Sequence, residues 1–173
     1  MKLNISSFSR PLTLPETFQI MDQKRARVMA GGTDLLPAIR DGRLRDVDLV
    51  DITQLGLNTI RADAHYLYIG STSTHSNIYE NELINNYIPP LAQACRKIGS
   101  KQIQNKGTIG GNIMNASPAG DTLPVLIAAS ADVVLANRDN ERVVSLESLF
   151  LGPGRTILSN GEILKEIRIP KQR

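Results

Sequence analysis

The stretch Lys106–Asp121, KGTIGGNIMNASPAGD, sets four glycines and three asparagine or serine residues among sixteen positions, with a single lysine. Missing side chains let another surface come close to the backbone. The spacing is neither the Gly-x-Gly-x-x-Gly of a Rossmann turn nor the Gly-Lys-Ser/Thr of a Walker loop. Thr108, Asn112, Asn115 and Ser117 offer neutral donors and acceptors, while Asp121 offers one carboxylate. A carboxylate sits badly against phosphate and well against ribose hydroxyls or ring N–H groups. The stretch therefore reads as a glycine-lined, nearly uncharged loop built to let backbone approach a ligand closely.

A second glycine segment, Ala30-Gly31-Gly32-Thr33-Asp34-Leu35, falls between an expected strand and an expected helix. Open backbone N–H groups at a helix start suit an anion or a pyrophosphate. Alone, a glycine pair at a strand end also serves as a tight turn. Two such segments in one small chain suggest a ligand with a diphosphate in the middle and polar ends. A dinucleotide fits; a nucleoside triphosphate lacks its lysine and metal ligands here.

The remaining chemistry is sparse. The 173 residues are 41 % hydrophobic and 21 % charged, as in ordinary globular domains. Twenty basic residues against seventeen acidic ones are interspersed, giving a net charge of +3 and no basic stripe for nucleic acid. No apolar run reaches the roughly 20 residues of a membrane span, and the first residues show no signal-peptide core, so a cytoplasmic location is expected. The sequons at Asn4 and Asn115 then have no glycosylating context. Cys95 is the one cysteine and reads as a packing residue on a helix face with Leu91, Ala94 and Ile98. His65 and His75 have no acidic or cysteine partner at ligand spacing, which argues against a metal site or a hydrolase triad and for surface or capping roles.

Patterning divides the chain into two subdomains of an α+β fold, residues 1–55 and 56–173. In the first, Thr13-Leu-Pro-Glu16 is a capping box that starts a helix running to Gln23. A strand over Arg27–Ala30 follows, then a helix capped by Thr33 or Asp34 and ending near Gly42. A strand over Val47–Ile52 closes a strand–helix–strand unit in which parallel pairing is natural. In the second subdomain we expect a strand at Tyr66–Gly70, a polar helix over Ser76–Asn86, and a helix from Pro89 to Ile98 stopped by Gly99. A buried helix over Thr122–Ala129 follows. Ala131–Ala136 and Glu141–Ser145 flank a turn at Asn137–Asn140, and Glu162–Pro170 reads as an edge strand.

The pair AGGTDLLP and TIGGNIMNASPAGDTLPVLIAASADVVL closely resembles the FAD-binding medium subunit of molybdenum hydroxylases, the group that includes xanthine and carbon monoxide dehydrogenases. The likeness runs from the Phe8/Pro11 region to GEILKEIRIP. It implies a flavoprotein fold of the vanillyl-alcohol-oxidase (PCMH) type. It also implies FAD contacts from Arg27, Val28, Met29, Ala30, Gly31, Gly32, Thr33 and Asp34, and from Thr108, Gly110, Gly111, Asn112, Asn115 and Asp121. Ile98, Gly99 and Ile103 match positions lining the flavin pocket, and Leu164 an apolar contact. By resemblance, no side chain is catalytic, and electrons pass from iron–sulfur clusters through FAD to NAD or another acceptor. The implied partners are a molybdopterin-binding large subunit and a [2Fe-2S] small subunit. The family usually continues past the EIRIP strand into a carboxyl-terminal module, while this sequence ends at Lys171-Gln-Arg173 and reads as a natural short form, a fragment or one piece of a split subunit, which bears on flavin shielding and NAD access but spares both glycine segments. Two rival readings are a flavin-free relic that binds or assembles, and a stand-alone reductase of the cell-wall-precursor type, for which no substrate acid or substrate domain is found.

Overall fold

Strand β1 (Ile5–Ser9), which patterning had not singled out, pairs in parallel with a strand forty residues later, and the first sheet grows from that pairing. The computed structural model describes residues 4–24 and 26–171. Thr13 accepts a hydrogen bond from the Glu16 N–H and opens α1 (Leu14–Gln23), while the Glu16 carboxylate accepts from the Leu12 N–H in place of the Thr13 N–H that a full capping box would use. Then come β2 (Arg27–Met29), α2 (Leu35–Arg40) and β3 (Val47–Asp51). The sheet order is β1-β3-β2, all parallel, so β3 is central. At its end the buried Asp51 holds Arg10 at 2.8 Å and accepts from the N–H and hydroxyl of Thr53.

The second sheet begins with β4 (Ile60–Ala62) and β5 (Tyr66–Gly70). A helical stretch follows: α3 (His75–Glu80), α4 (Glu82–Tyr87), α5 (Pro89–Lys97), α6 (Lys101–Gln104), α7 (Ile109–Asn115) and α8 (Thr122–Ala128). The chain returns through β6 (Asp132–Ala136), β7 (Glu141–Ser145), α9 (Leu146–Leu149), the small pair β8 (Phe150–Gly152) and β9 (Arg155–Thr156), and finally β10 (Ile163–Pro170). Five strands form an antiparallel sheet in the order β4-β5-β10-β6-β7. The Asn137–Asn140 turn is closed by the Asn137 side chain, which accepts from the N–H groups of Asp139 and Asn140.

Three expectations need correction. The helix expected over Ser76–Asn86 is broken at Asn81, whose extended backbone ends α3 and whose side chain caps α4 through the Leu83 and Ile84 N–H groups. The Glu162–Pro170 strand lies at the centre of its sheet, hydrogen-bonded on both sides to β5 and β6. Its alternation reflects partly open faces, as at Lys165 and Glu166. The helix over Thr122–Ala128 buries Thr122 and Leu126 but leaves Pro124, Ile127 and Ala128 exposed. No helix among the described residues is long and apolar enough to cross a membrane.

One large core joins Ile69 and Ile167 of the sheet to Ile78, Leu91, Cys95, Ile113 and Leu126 of the helices. Cys95 is fully buried, and burial pushes its thiol up to about 12, so it packs as an apolar group. A smaller cluster sets Phe18 of α1 against Ala136 and Ile163, tying the two sheets together. The central place of β10 has a measurable consequence. Ile167→Ala should cost about 2–5 kcal/mol in urea unfolding, whereas Val143→Ala on the exposed face of β7 should stay within about 0.5 kcal/mol.

Candidate functional site

The residues leaving β5, Ser71 to His75, run antiparallel to Gly107–Gly110. His75 N–H donates to the Gly107 carbonyl at 3.0 Å, Ile109 N–H to Ser73 at 3.0 Å, and Gly110 N–H to Ser71 at 2.9 Å. Thr74 and Thr108 form the bridge between them. These bonds use amide donors that would otherwise stay open, and α7 starts at once: Thr108 accepts from the Gly111 N–H through its hydroxyl and from Asn112 through its carbonyl. The segment read as a loop therefore holds a helix in its middle, ended at Ala116 in the left-handed region. Helix propensity predicts otherwise, since two glycines and an asparagine are poor formers; the cap and the pairing override it.

The glycines divide by what a side chain would meet. A Cβ on Gly31 would overlap the carbonyl oxygen of Lys106, and one on Gly110 would fall 2.6 Å from the Ser71 oxygen. Both are demanded by close approach within the protein, and through Gly31 the two glycine segments touch. Gly32 takes a φ of +69°, the turn role. Gly111 alone of these is open: it is exposed, and only the Thr108 hydroxyl lies within 4 Å of a Cβ placed there.

Around this junction lies a cleft of about 1160 Å³, somewhat above the roughly 300–1,000 Å³ of ordinary ligand pockets. One wall is Arg27 to Asp34; the other is Thr108, Gly110, Gly111, Asn112 and Asn115, with Ile98, Ile103 and Leu164 supplying apolar surface. Two residues singled out from the sequence do not line it. Gly99 makes the left-handed turn before α6, and Asp121 is exposed at the start of α8, where it makes no cap hydrogen bond. Asp34 likewise starts α2 without capping it through its side chain.

Sequence reasoning passed over Ser71, His75, Arg43 and Glu162, all in the lining. Glu162 is only 5 % exposed and accepts from two of the guanidinium nitrogens of Arg142, Nε at 2.7 Å and Nη2 at 2.8 Å, and from the Ser159 N–H. Arg142 keeps its carboxyl below the usual range, so this charge is engaged with the protein. His75 corrects the expected surface or capping histidine: it is 2 % exposed, and burial lowers its imidazole to about 4. The signal available was its position, four polar residues past a strand end in GSTSTH. His65 is exposed.

With the cleft described, comparison with known proteins gives the family. Residues 3–172 match the family model described as FAD binding domain in molybdopterin dehydrogenase. The chain belongs to that family. It is 32 % identical over 166 residues to the glyceraldehyde dehydrogenase medium chain of Sulfolobus acidocaldarius, covering 95 % of this chain and 59 % of the relative. The nicotinate dehydrogenase FAD-subunit of Eubacterium barkeri is 34 % identical over 171 residues, covering 95 % and 58 %. A solved carbon monoxide dehydrogenase from Hydrogenophaga pseudoflava superposes with a TM-score of 0.95 at 29 % identity, over 100 % of this chain and 61 % of that one. The chain thus spans about three-fifths of the relatives it matches. The family's cofactor is FAD, and the residues present fit it: a glycine open to the cleft at Gly111, and two enclosed polar atoms of the wall, Ser71 Oγ and His75 Nδ1, without a protein partner.

Two outcomes follow from this geometry. Gly31→Ala should lower thermal stability by several kcal/mol or prevent folding, because backbone must move, while Gly111→Ala should melt within about 1 kcal/mol of the parent. The His75 imidazole is held near 4 in the fold against about 6.5 when unfolded, so protonation favours the unfolded chain. Its contribution is fully present above about pH 6.5 and is lost as pH falls toward 4, each unit weakening the fold by about 1.4 kcal/mol. Thermal melts between about pH 7 and pH 5 should show this decline, and His75→Gln should flatten it.

Proposed function

We propose that this chain carries the flavin in the electron-transfer subunit of a molybdenum hydroxylase. In this reading a [2Fe-2S] small subunit and a molybdopterin-binding large subunit supply the electrons, and NAD or another acceptor receives them. The observation that carries the proposal is the convergence of both glycine segments on one long cleft. Bound FAD supplies the exchange between single electrons and an electron pair. The protein's own residues bind and orient it. Gly31 to Asp34, at the start of α2, are suited to the diphosphate. Thr108, Asn112 and Asn115 present neutral hydrogen-bonding groups, and Ile98, Ile103 and Leu164 offer apolar surface to a planar ring.

The substrate belongs to the molybdenum-bearing partner. Relatives named for glyceraldehyde and for nicotinate are similarly close to this chain, at 32 % and 34 % identity. The folded chain shows no redox cysteine, since Cys95 is buried in the core. It is therefore a carrier that needs a cluster-bearing protein docked beside it.

The test is a titration of the cofactor-free chain with FAD and with FMN. FAD should bind noncovalently and at least about tenfold more tightly than FMN, for the adenylate half adds contacts along the cleft. Equal affinities would remove the diphosphate assignment, and no uptake of either would favour a flavin-free relic. Gly111→Val should abolish FAD uptake while leaving the circular dichroism spectrum unchanged, because a branched side chain enters the cleft.

A further inference from the structure

Four side-chain polar atoms between Ser71 and His75 are enclosed and make no hydrogen bond: Ser71 Oγ, Thr72 Oγ1, Ser73 Oγ and His75 Nδ1. Buried polar groups nearly always find partners, so such a run marks a place where a partner is missing. Two of the four residues, Ser71 and His75, line the cleft, at 3 % and 2 % exposure. The backbone of this segment is tied to Gly107–Gly110 through Ser71, Ser73 and His75 and to Lys165, Leu57 and Gly70 through the N–H groups of Ser71, Thr72 and Ser73, so the side chains cannot be relieved by a shift of the chain without breaking those bonds. The His75 ring turns its Cδ2–Nε2 edge toward Gly107, 3.1 and 3.3 Å from where a Cβ would stand there. Nδ1 lies on the other side of the ring.

We infer that His75 and Ser71 form a neutral hydrogen-bonding subsite for the flavin half of FAD, meaning its ribityl hydroxyls or the polar edge of its ring. The inference rests on the FAD reading above and adds a residue pair to it. A neutral imidazole has one donor and one acceptor, and a serine hydroxyl has both. That set suits uncharged hydroxyl, carbonyl and N–H groups. A diphosphate would instead favour a charged imidazole, and no acidic side chain is hydrogen-bonded to this one. His75 also adjoins the apolar side of the cleft, since the Gly107 N–H donates to the Ile103 carbonyl and the His75 ring lies against Gly107.

The chain has two histidines, so ¹⁵N-histidine labelling gives two ring systems, with the exposed His65 as internal reference. Nitrogen-detected spectra are recorded on the wild-type chain while FAD, riboflavin or ADP is added, with flavin absorbance followed in parallel. FAD and riboflavin should each shift the His75 ring nitrogens, ADP should not, and His65 should stay still. His75→Phe should weaken FAD binding about tenfold and His75→Gln less than about threefold, as expected for one lost hydrogen bond. If FAD binds and the His75 signals do not move, or move with ADP as much as with FAD, the subsite falls while the cofactor reading stands. If the wild-type chain takes up no FAD, both fall together.

Discussion

The short antiparallel pairing of Ser71–Ser73 and His75 with Gly107–Gly110 is the constraint on which the site depends. It satisfies the first amides of α7 from outside the helix, which is how a stretch poor in helix formers becomes helical at all. It also fixes Lys106 and Gly107 where Gly31 must pass, so the turn after β2 is packed directly against the start of this pairing, in addition to the contact through Phe18. The cleft is the space left around that junction.

The site is electrostatically quiet by construction. Glu162 is neutralised by Arg142, and His75 is kept uncharged by burial. Exposed pairs such as Arg40–Asp41 and Arg138–Asp22 lie at the surface, where each is worth about 0–1 kcal/mol. What remains facing the cleft is backbone, amide and hydroxyl groups with apolar patches, two arginines, Arg27 and Arg43, and the carboxylate of Asp34. Such a lining recognises by shape and hydrogen bonding and leaves chemistry to what it holds, in keeping with membership of an FAD-binding family.

Similar chains belong to dehydrogenases named for glyceraldehyde, nicotinate and carbon monoxide. In every one of these comparisons the chain matches about three-fifths of the relative. The matched part is what holds the glycine segments together, and the large core beneath it is built from local helices packed on one sheet.

Much of this was legible in the chain itself. The capping box at Thr13, the Asn137–Asn140 turn, the packing role of Cys95 and the two glycine segments each rest on local chemistry, and local chemistry is written in neighbouring residues. The misreadings share the opposite cause. β1 is polar and short, and it becomes a strand because Val47–Val50 offers it a partner. β10 alternates like an edge strand, yet two strands from distant parts of the chain cover its sides. Glycine gives the same letter at Gly31, Gly110 and Gly111, while only the approach of Lys106 and Ser71 separates the two packing glycines from the one that faces open space. His75 has no partner in sequence and gains its environment from a segment thirty residues away. The sequence by itself determined the elements, the turns and the family; contacts between remote segments decided the helix at Ile109, the central strand and the polar wall of the cleft, because hydrogen-bond satisfaction and burial are properties of what the fold brings near.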